Sequence, residues 1–269
     1  MIPASRIAEW LYTFRGNWLF GPPRSRRENS VMTSPSAPSL TVYELRQYSQ
    51  NPGMRDALIE LFEAQFIESQ DCVGSYVLGQ FRDLANPNRF VWIRGFTDMG
   101  ARTRALDAFY TSPRWLAHRP AANATIADHT DVLLLRPAGP GLGFRFDPRR
   151  RPPPEAVEKP GGLLVATIAH LGAPPTPDVV AAALGIAHDG RGICLARLVT
   201  EPTPNGYPRL QIREDANVTV ALAAYSGRES YETAVAETPA ATPPGVACME
   251  RLLLVPTRRS YLRYKGDPT

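Results

Sequence analysis

Lysine is nearly missing from this chain: Lys159 and Lys265 are the only two among 30 basic residues in a sequence of 269. Cysteine is scarce too. Cys72, Cys194 and Cys248 are odd in number and far apart, which excludes a disulfide framework and a cysteine metal site and suits a reducing cytoplasm. There is no P-loop, no zinc-ligand spacing, no nucleophile elbow and no cysteine in a catalytic context. The glycine-rich stretch Gly139-Pro-Gly-Leu-Gly143 leads into Phe144-Arg-Phe-Asp-Pro148 instead of a helix, so it cannot cradle a dinucleotide phosphate. No cofactor-binding or metal-binding motif is therefore read from the sequence. Charge of one sign is also lacking. Most of the formal +4 sits in the first 38 residues, where Arg6, Arg15, Arg24, Arg26 and Arg27 face only Glu9 and Glu28. The nearly neutral remainder has no electrostatic footprint for nucleic acid.

What is abundant is arginine, alanine and proline, the last numbering 27. That usage points to a GC-rich, bacterial genome. The prolines gather in the first 39 residues, in loops and in a connector over residues 138–160, which reads as linker chemistry. In the N-terminal segment, Ile7, Trp10, Leu11, Phe14, Trp18 and Leu19 fall at helical spacing beside Arg6 and Arg15. This is the pattern of a short amphipathic helix on a membrane surface, too short and too interrupted to span one. The competing reading makes Met32 the start and the preceding residues a leader or disordered tail.

Two stretches repeat one pattern, with Val42 to Leu133 and Leu164 to Leu252 nearly equal in span. The first alternates over Thr41–Tyr48, placing Tyr43 and Leu45 on one face and Glu44, Arg46 and Tyr48 on the other. A turn at Asn51-Pro-Gly53 precedes a helical stripe of Ala57, Leu58, Leu61, Phe62 and Phe66. Strands over Tyr76–Arg82 and Arg89–Phe96 flank a polar turn, and a helix over Met99–Tyr110 follows. Another helix starts at Ser112-Pro113, and the closing strand is Asp131–Arg136. The second stretch runs similarly, with a weaker first helix over Asp178–Leu184 and a helix over Glu229–Glu237. It adds a hairpin containing Pro204-Asn205-Gly206 and a strand over Pro208–Arg213. Strand, helix, strand, strand, helix, strand is the ferredoxin-like order, an antiparallel sheet with helices on one face. The fold class is thus α+β: two tandem ferredoxin-like units, residues 40–137 and 161–257, packed sheet to sheet, with a tail over 258–269.

Three motifs carry a resemblance: Tyr43-Glu-Leu-Arg-Gln-Tyr48, Phe90-Val-Trp-Ile-Arg-Gly-Phe96, and Trp115-Leu-Ala-His-Arg119 with Asn123. In order and spacing they resemble the NIPSNAP family over about residues 41–137, and the second half resembles the companion repeat of its longer members. The resemblance implies a dimeric α+β barrel, here built within one chain. Pro120 departs from the pattern and predicts a kink in its helix.

For the site, Val91 and Ile93 are expected to face the helices. Phe90, Trp92, Arg94 and Phe96 would then line the barrel interior with Glu44, Arg46 and Tyr48, joined by Gln80 and Arg82. Arginines among aromatic walls favour an acidic or enolate-like ligand. In this reading Arg46 and Arg94 hold the anion, Trp92 and Tyr48 stack, Gln80 contributes polarity, and Glu44 or His118 moves protons. The alternative is that Glu44 pairs with Arg94 across the strands and merely neutralises buried charge. His118 is also the candidate ligand should haem be bound, whereas His129, His170 and His188 have no partner in sequence. Two functions follow. One is a small-molecule barrel with cofactor-independent oxygenase or isomerase chemistry, by analogy of architecture. The other is a non-enzymatic scaffold engaging a protein partner or a membrane. An open interior lined by Arg46 and Arg94 favours the first, and an interior filled by rings favours the second. Self-association beyond the monomer is compatible with either.

Overall fold

Strand β1 (Val42–Gln50) opens the order that alternation predicts. The computed structural model describes residues 37–159, 161–186, 192–236 and 242–266, so the amphipathic segment and Met32 lie outside the described residues. In the first repeat β1 is followed by α1 (Arg55–Gln65), α2 (Ile67–Asp71), β2 (Tyr76–Asp83), β3 (Arg89–Phe96), α3 (Met99–Tyr110), α4 (Pro113–Thr125) and β4 (Ile126–Pro137). The second contains β5 (Leu163–Leu171), α5 (Pro177–Ile186), β6 (Ile193–Thr200), β7 (Val218–Tyr225), α6 (Arg228–Ala236) and β8 (Val246–Pro256). Local chemistry sets the helix starts. Asp98 accepts a hydrogen bond from the Ala101 amide at 2.6 Å, and Ser112 accepts one from the Trp115 amide at 3.2 Å, with Pro113 at the first helical position. Pro120 sits on the exposed side of α4, which continues unbroken to Thr125.

The eight strands close into a barrel in the order β1-β3-β2-β8-β5-β7-β6-β4. Each repeat supplies four neighbouring strands, and the halves join at two antiparallel seams, β2 with β8 and β4 with β6. Closure removes the open sheet edges that two separate four-stranded units would expose. The expected architecture is the observed one.

The interior is solid. Tyr43, Leu45, Leu78, Phe81, Val91 and Ile93 from the first repeat meet Leu164, Ala166, Ile168, Val218, Val220 and Leu222 from the second, all buried. Phe144 and Phe146 of the connector join the same cluster. This corrects the assignment of faces. Val91 and Ile93 look into the barrel, while Phe90, Trp92, Arg94 and Phe96 look at the helices, as do Glu44, Arg46 and Tyr48. Alternation tells which residues share a face and is silent about which layer that face meets. Energetics settles it: the opposing sheet offers only aliphatic groups, so a guanidinium turned inward would find no partner.

Two further expectations change. Residues 208–213 form no strand. Their loop runs along β4, where the Val132 carbonyl accepts from the Arg213 amide at 2.9 Å and the Leu134 carbonyl accepts from the Glu201 amide at 2.9 Å. Residues 258–266 are no free tail either. The Thr257 amide donates to the Gln80 carbonyl at 2.9 Å and the Leu262 amide to the Leu78 carbonyl at 3.0 Å, strapping the chain end along β2. The buried Glu63 carboxylate of α1 accepts from Thr257 Oγ1, Arg258 Nε and the Arg259 amide at 2.6, 2.7 and 3.0 Å.

Candidate functional site

Behind the first repeat's helices lies a buried charge cluster. Glu44 on β1 sits opposite Arg94 on β3 and two residues before Arg46. Its Oε2 accepts from Arg46 Nη1 at 2.6 Å and from Arg94 Nε at 2.7 Å. Its Oε1 accepts from Arg102 Nε of α3, also at 2.7 Å. All four side chains are fully buried. Burial alone would raise the Glu44 pKa. The guanidiniums of Arg94, Arg46 and Arg102 outweigh it and hold the carboxylate far below its usual range. With both oxygens committed, Glu44 is the counter-ion of the cluster and is not placed to shuttle protons.

One carboxylate does not balance three guanidiniums. The remaining positive charge is spread over neutral neighbours. Arg94 Nη1 donates to Gln70 Oε1 at 3.0 Å, Arg102 Nη1 to Asn205 Oδ1 at 2.9 Å, and Arg46 Nε to the Tyr48 hydroxyl oxygen at 3.0 Å. Trp92 lies beneath two of the cations, with the Arg46 and Arg94 guanidinium carbons 5.4 and 5.1 Å from its ring centre. Arg102 was not read from the sequence, because it enters from a helix more than fifty residues after Glu44.

The adjoining cavity, of about 540 Å³, lies between the sheet and helices α1 to α4. Tyr48, Gln70 and Trp92 form its floor against the arginines. Phe62, Phe66, Phe109, Tyr110 and Trp115 wall it, in a continuous chain of edge-on and tilted ring contacts. Arg119, Asn123, His129 and Arg209 are exposed around it and form its mouth. No aspartate or glutamate is among its lining residues. The lid comes from the second repeat. Residues 201–217, between β6 and β7, place Tyr207 parallel to Tyr110 at 6.2 Å and bring Arg209 and Leu210 to the cavity. Asn205 shapes that loop by accepting from the Tyr207 amide and donating to the Leu210 carbonyl.

Of the residues expected to form a site, Tyr48 and Trp92 line the cavity, and Arg46, Arg94 and Glu44 stand behind it. Gln80 shares the face of Trp92 and is fully buried, but it does not line the cavity, and its amide atoms have no partner among the described residues. Arg82 pairs with Asp56 and Glu158. His118 lies off the cavity, its ring 6.3 Å from Phe66, and so offers no ligand for a haem there. His129, which has no sequence partner, does reach the cavity, edge-on to Tyr48 at 6.0 Å. Alternation within β4 was its only available signal. Among the described residues no cluster of His, Cys, Asp or Glu is fit for a metal ion, and no helix is long and apolar enough to cross a membrane.

Residues 43–139 match the model of the NIPSNAP family, the same span that builds β1 to β4 and the charge cluster. The first repeat is a NIPSNAP domain. Among solved structures, a candidate monooxygenase from Lactobacillus acidophilus NCFM is similar over 84% of this chain and 100% of its own, at 12% identity and a TM-score of 0.49. Two NIPSNAP family proteins from Agrobacterium tumefaciens str. C58 cover 36% of this chain each, at TM-scores of 0.34. One is 19% identical over 92% of its length, and the other, of unknown function, is 25% identical over 88%. No curated protein matches the chain. The NIPSNAP domain thus holds the cavity walls, while the repeat after it supplies the cover.

Proposed function

We propose that this NIPSNAP protein binds a small, flat organic acid in the cavity between the sheet and the helices of its first repeat. One observation carries the reading: an aromatic-walled cavity whose charged lining is entirely basic, backed by three buried guanidiniums around a single carboxylate. Aromatic rings supply apolar area and stacking for a flat ligand. Arg119 and Arg209 at the mouth offer planar forks that match a carboxylate. The location replaces the barrel interior, which is filled. Should the cavity carry a reaction of oxygenase or isomerase type, His129 supplies its imidazole for general-base work, and the roles earlier given to Glu44 and His118 lapse.

Thermal melting with a panel of aromatic carboxylic acids, phenols and matched neutral amides tests this. A ligand that selects the folded state at a hundred times its Kd adds about 2.7 kcal/mol of stability. The expected result is a rise in Tm with the acids that exceeds the rise with the amides and is reduced in Arg209→Ala. No shift with any acid, or equal shifts with acids and amides, would remove the reading.

A further inference from the structure

Tyr48, Gln70 and Trp92 share an arrangement that the binding reading does not use. Each is buried, and each lines the cavity floor. The acceptor atoms of the first two are already taken. Arg46 Nε donates to the Tyr48 oxygen, while Arg94 Nη1 and Ser75 Oγ donate to Gln70 Oε1 at 3.0 and 3.3 Å. A guanidinium can only donate, so the Gln70 amide is held with its oxygen toward Arg94. Its NH2 is left for the cavity side, where no described residue accepts from it. The Tyr48 hydroxyl is in the same position: its oxygen is engaged and no described residue accepts its proton. Burial raises the Tyr48 pKa, more than the guanidinium of Arg46 lowers it, so the phenol keeps that proton. Trp92 is a donor by constitution, and its Nε1 has no partner among the described residues. Two donors thus border the floor of one cavity, both polarised from behind by buried cations, while Trp92 lines it with its ring and keeps Nε1 shut off.

We infer that this floor is an oxyanion site, preorganised to stabilise a phenolate or enolate oxygen on the ligand. The inference rests on the cavity reading above and narrows its substrate class to aromatic or 1,3-dicarbonyl compounds that ionise at oxygen. Donors fixed before the charge arrives, in a site sheltered from water, favour the ionised form without reorganisation. The arginines act here through Tyr48 and Gln70 as positioning residues.

Nitrophenols are suitable probes, because their phenolates are yellow and the parent phenols are not. Spectrophotometric titration of each probe, free and bound to the full chain, gives the shift in its pKa. The expected result is a bound pKa at least one unit below the free value, a tenfold or greater shift toward phenolate. Tyr48→Phe and Gln70→Leu should each reduce that shift. Affinity for the corresponding nitroanisole, which cannot ionise, should change less than twofold, separating the effect from a general disturbance of the wall. Nitrophenols that bind with an unchanged or raised pKa overturn the inference and leave the cavity reading standing. A shift that persists in both variants also overturns it, assigning the effect to Arg119 and Arg209. Failure of every nitrophenol to bind overturns the inference, and the cavity reading falls with it only if the carboxylic acids of the melting panel also fail.

Discussion

The helix-facing side of the sheet differs between the repeats in a way the shared fold does not require. The barrel register makes the comparison residue by residue. In the first repeat Glu44 pairs with Arg94 and Arg46 with Trp92; at the matching places in the second, Val165 pairs with Ala223 and Thr167 with Ala221. The second set is buried as well. The fold therefore accommodates an uncharged face there. Buried charges carry a desolvation cost that an uncharged face avoids, and the binding site proposed for the first half would account for their presence there. The loops tell the same story in reverse. Residues 84–88 make a tight turn between β2 and β3, whereas residues 201–217 between β6 and β7 reach across the seam and cover the first repeat's cavity. One repeat holds the cavity and a loop of the other covers it.

The severest way to break this asymmetry is to charge the plain half. Ala223→Arg would place a guanidinium among Leu163, Val165, Tyr225 and Ala234. An unpaired charge there should cost more than about 4 kcal/mol, read as loss of the cooperative unfolding transition in urea. If Ala223→Arg unfolds at the wild-type midpoint, the two faces are interchangeable and the comparison collapses.

Glu44→Gln is next. It leaves three buried guanidiniums without their carboxylate and should destabilise the chain by about 3–5 kcal/mol, whereas Val165→Ala at the matching place should cost far less. Equal urea midpoints for the two variants would refute the counter-ion role. The same group sets an acid limit. Because folding lowers the Glu44 pKa, its stabilisation is complete above the ordinary carboxylate range near pH 4.3 and drains away as pH falls below it. Unfolding free energy should therefore fall steeply from about pH 5 downward, and Glu44→Gln should flatten that slope.

Smaller effects sharpen the division of labour. Asn205→Ala removes the acceptor of Arg102 Nη1 and two bonds within the loop, with an expected cost of about 1–3 kcal/mol and faster amide exchange over residues 201–217. Arg209→Ala, at an exposed position, should change stability by less than about 0.5 kcal/mol. It should nonetheless weaken binding of aromatic acids severalfold, most visibly at low salt. If binding is unaffected, the second repeat covers the cavity without contributing to recognition.

Much of this was legible in the residues. Period-two alternation over Thr41–Tyr48 and Arg89–Phe96, the Ser112-Pro113 start signal and the doubled pattern led to the right elements and the right barrel. They also grouped Glu44, Arg46, Tyr48, Trp92 and Arg94 on one side of one sheet. Orientation was not legible, because an alternating strand has two faces and both of these are buried along most of their length. Polarity pointed to a cavity inside the barrel, yet the opposing sheet had only aliphatic groups to offer in return. Arg102, Gln70 and His129 were missed for a related reason: each is brought in by a different element from β1 and β3, and only His129 carries a local signal, the alternation of β4.

By itself, then, the amino-acid order determined two ferredoxin-like halves and the set of side chains sharing each strand face, since both follow from spacing and local backbone preference. Tertiary structure alone decided that the charged face meets helices, that Glu44 collects a third arginine, and that a loop of the second half closes a cavity in the first. Those outcomes depend on which distant groups can solvate a buried charge, and that is a property of the assembled layers.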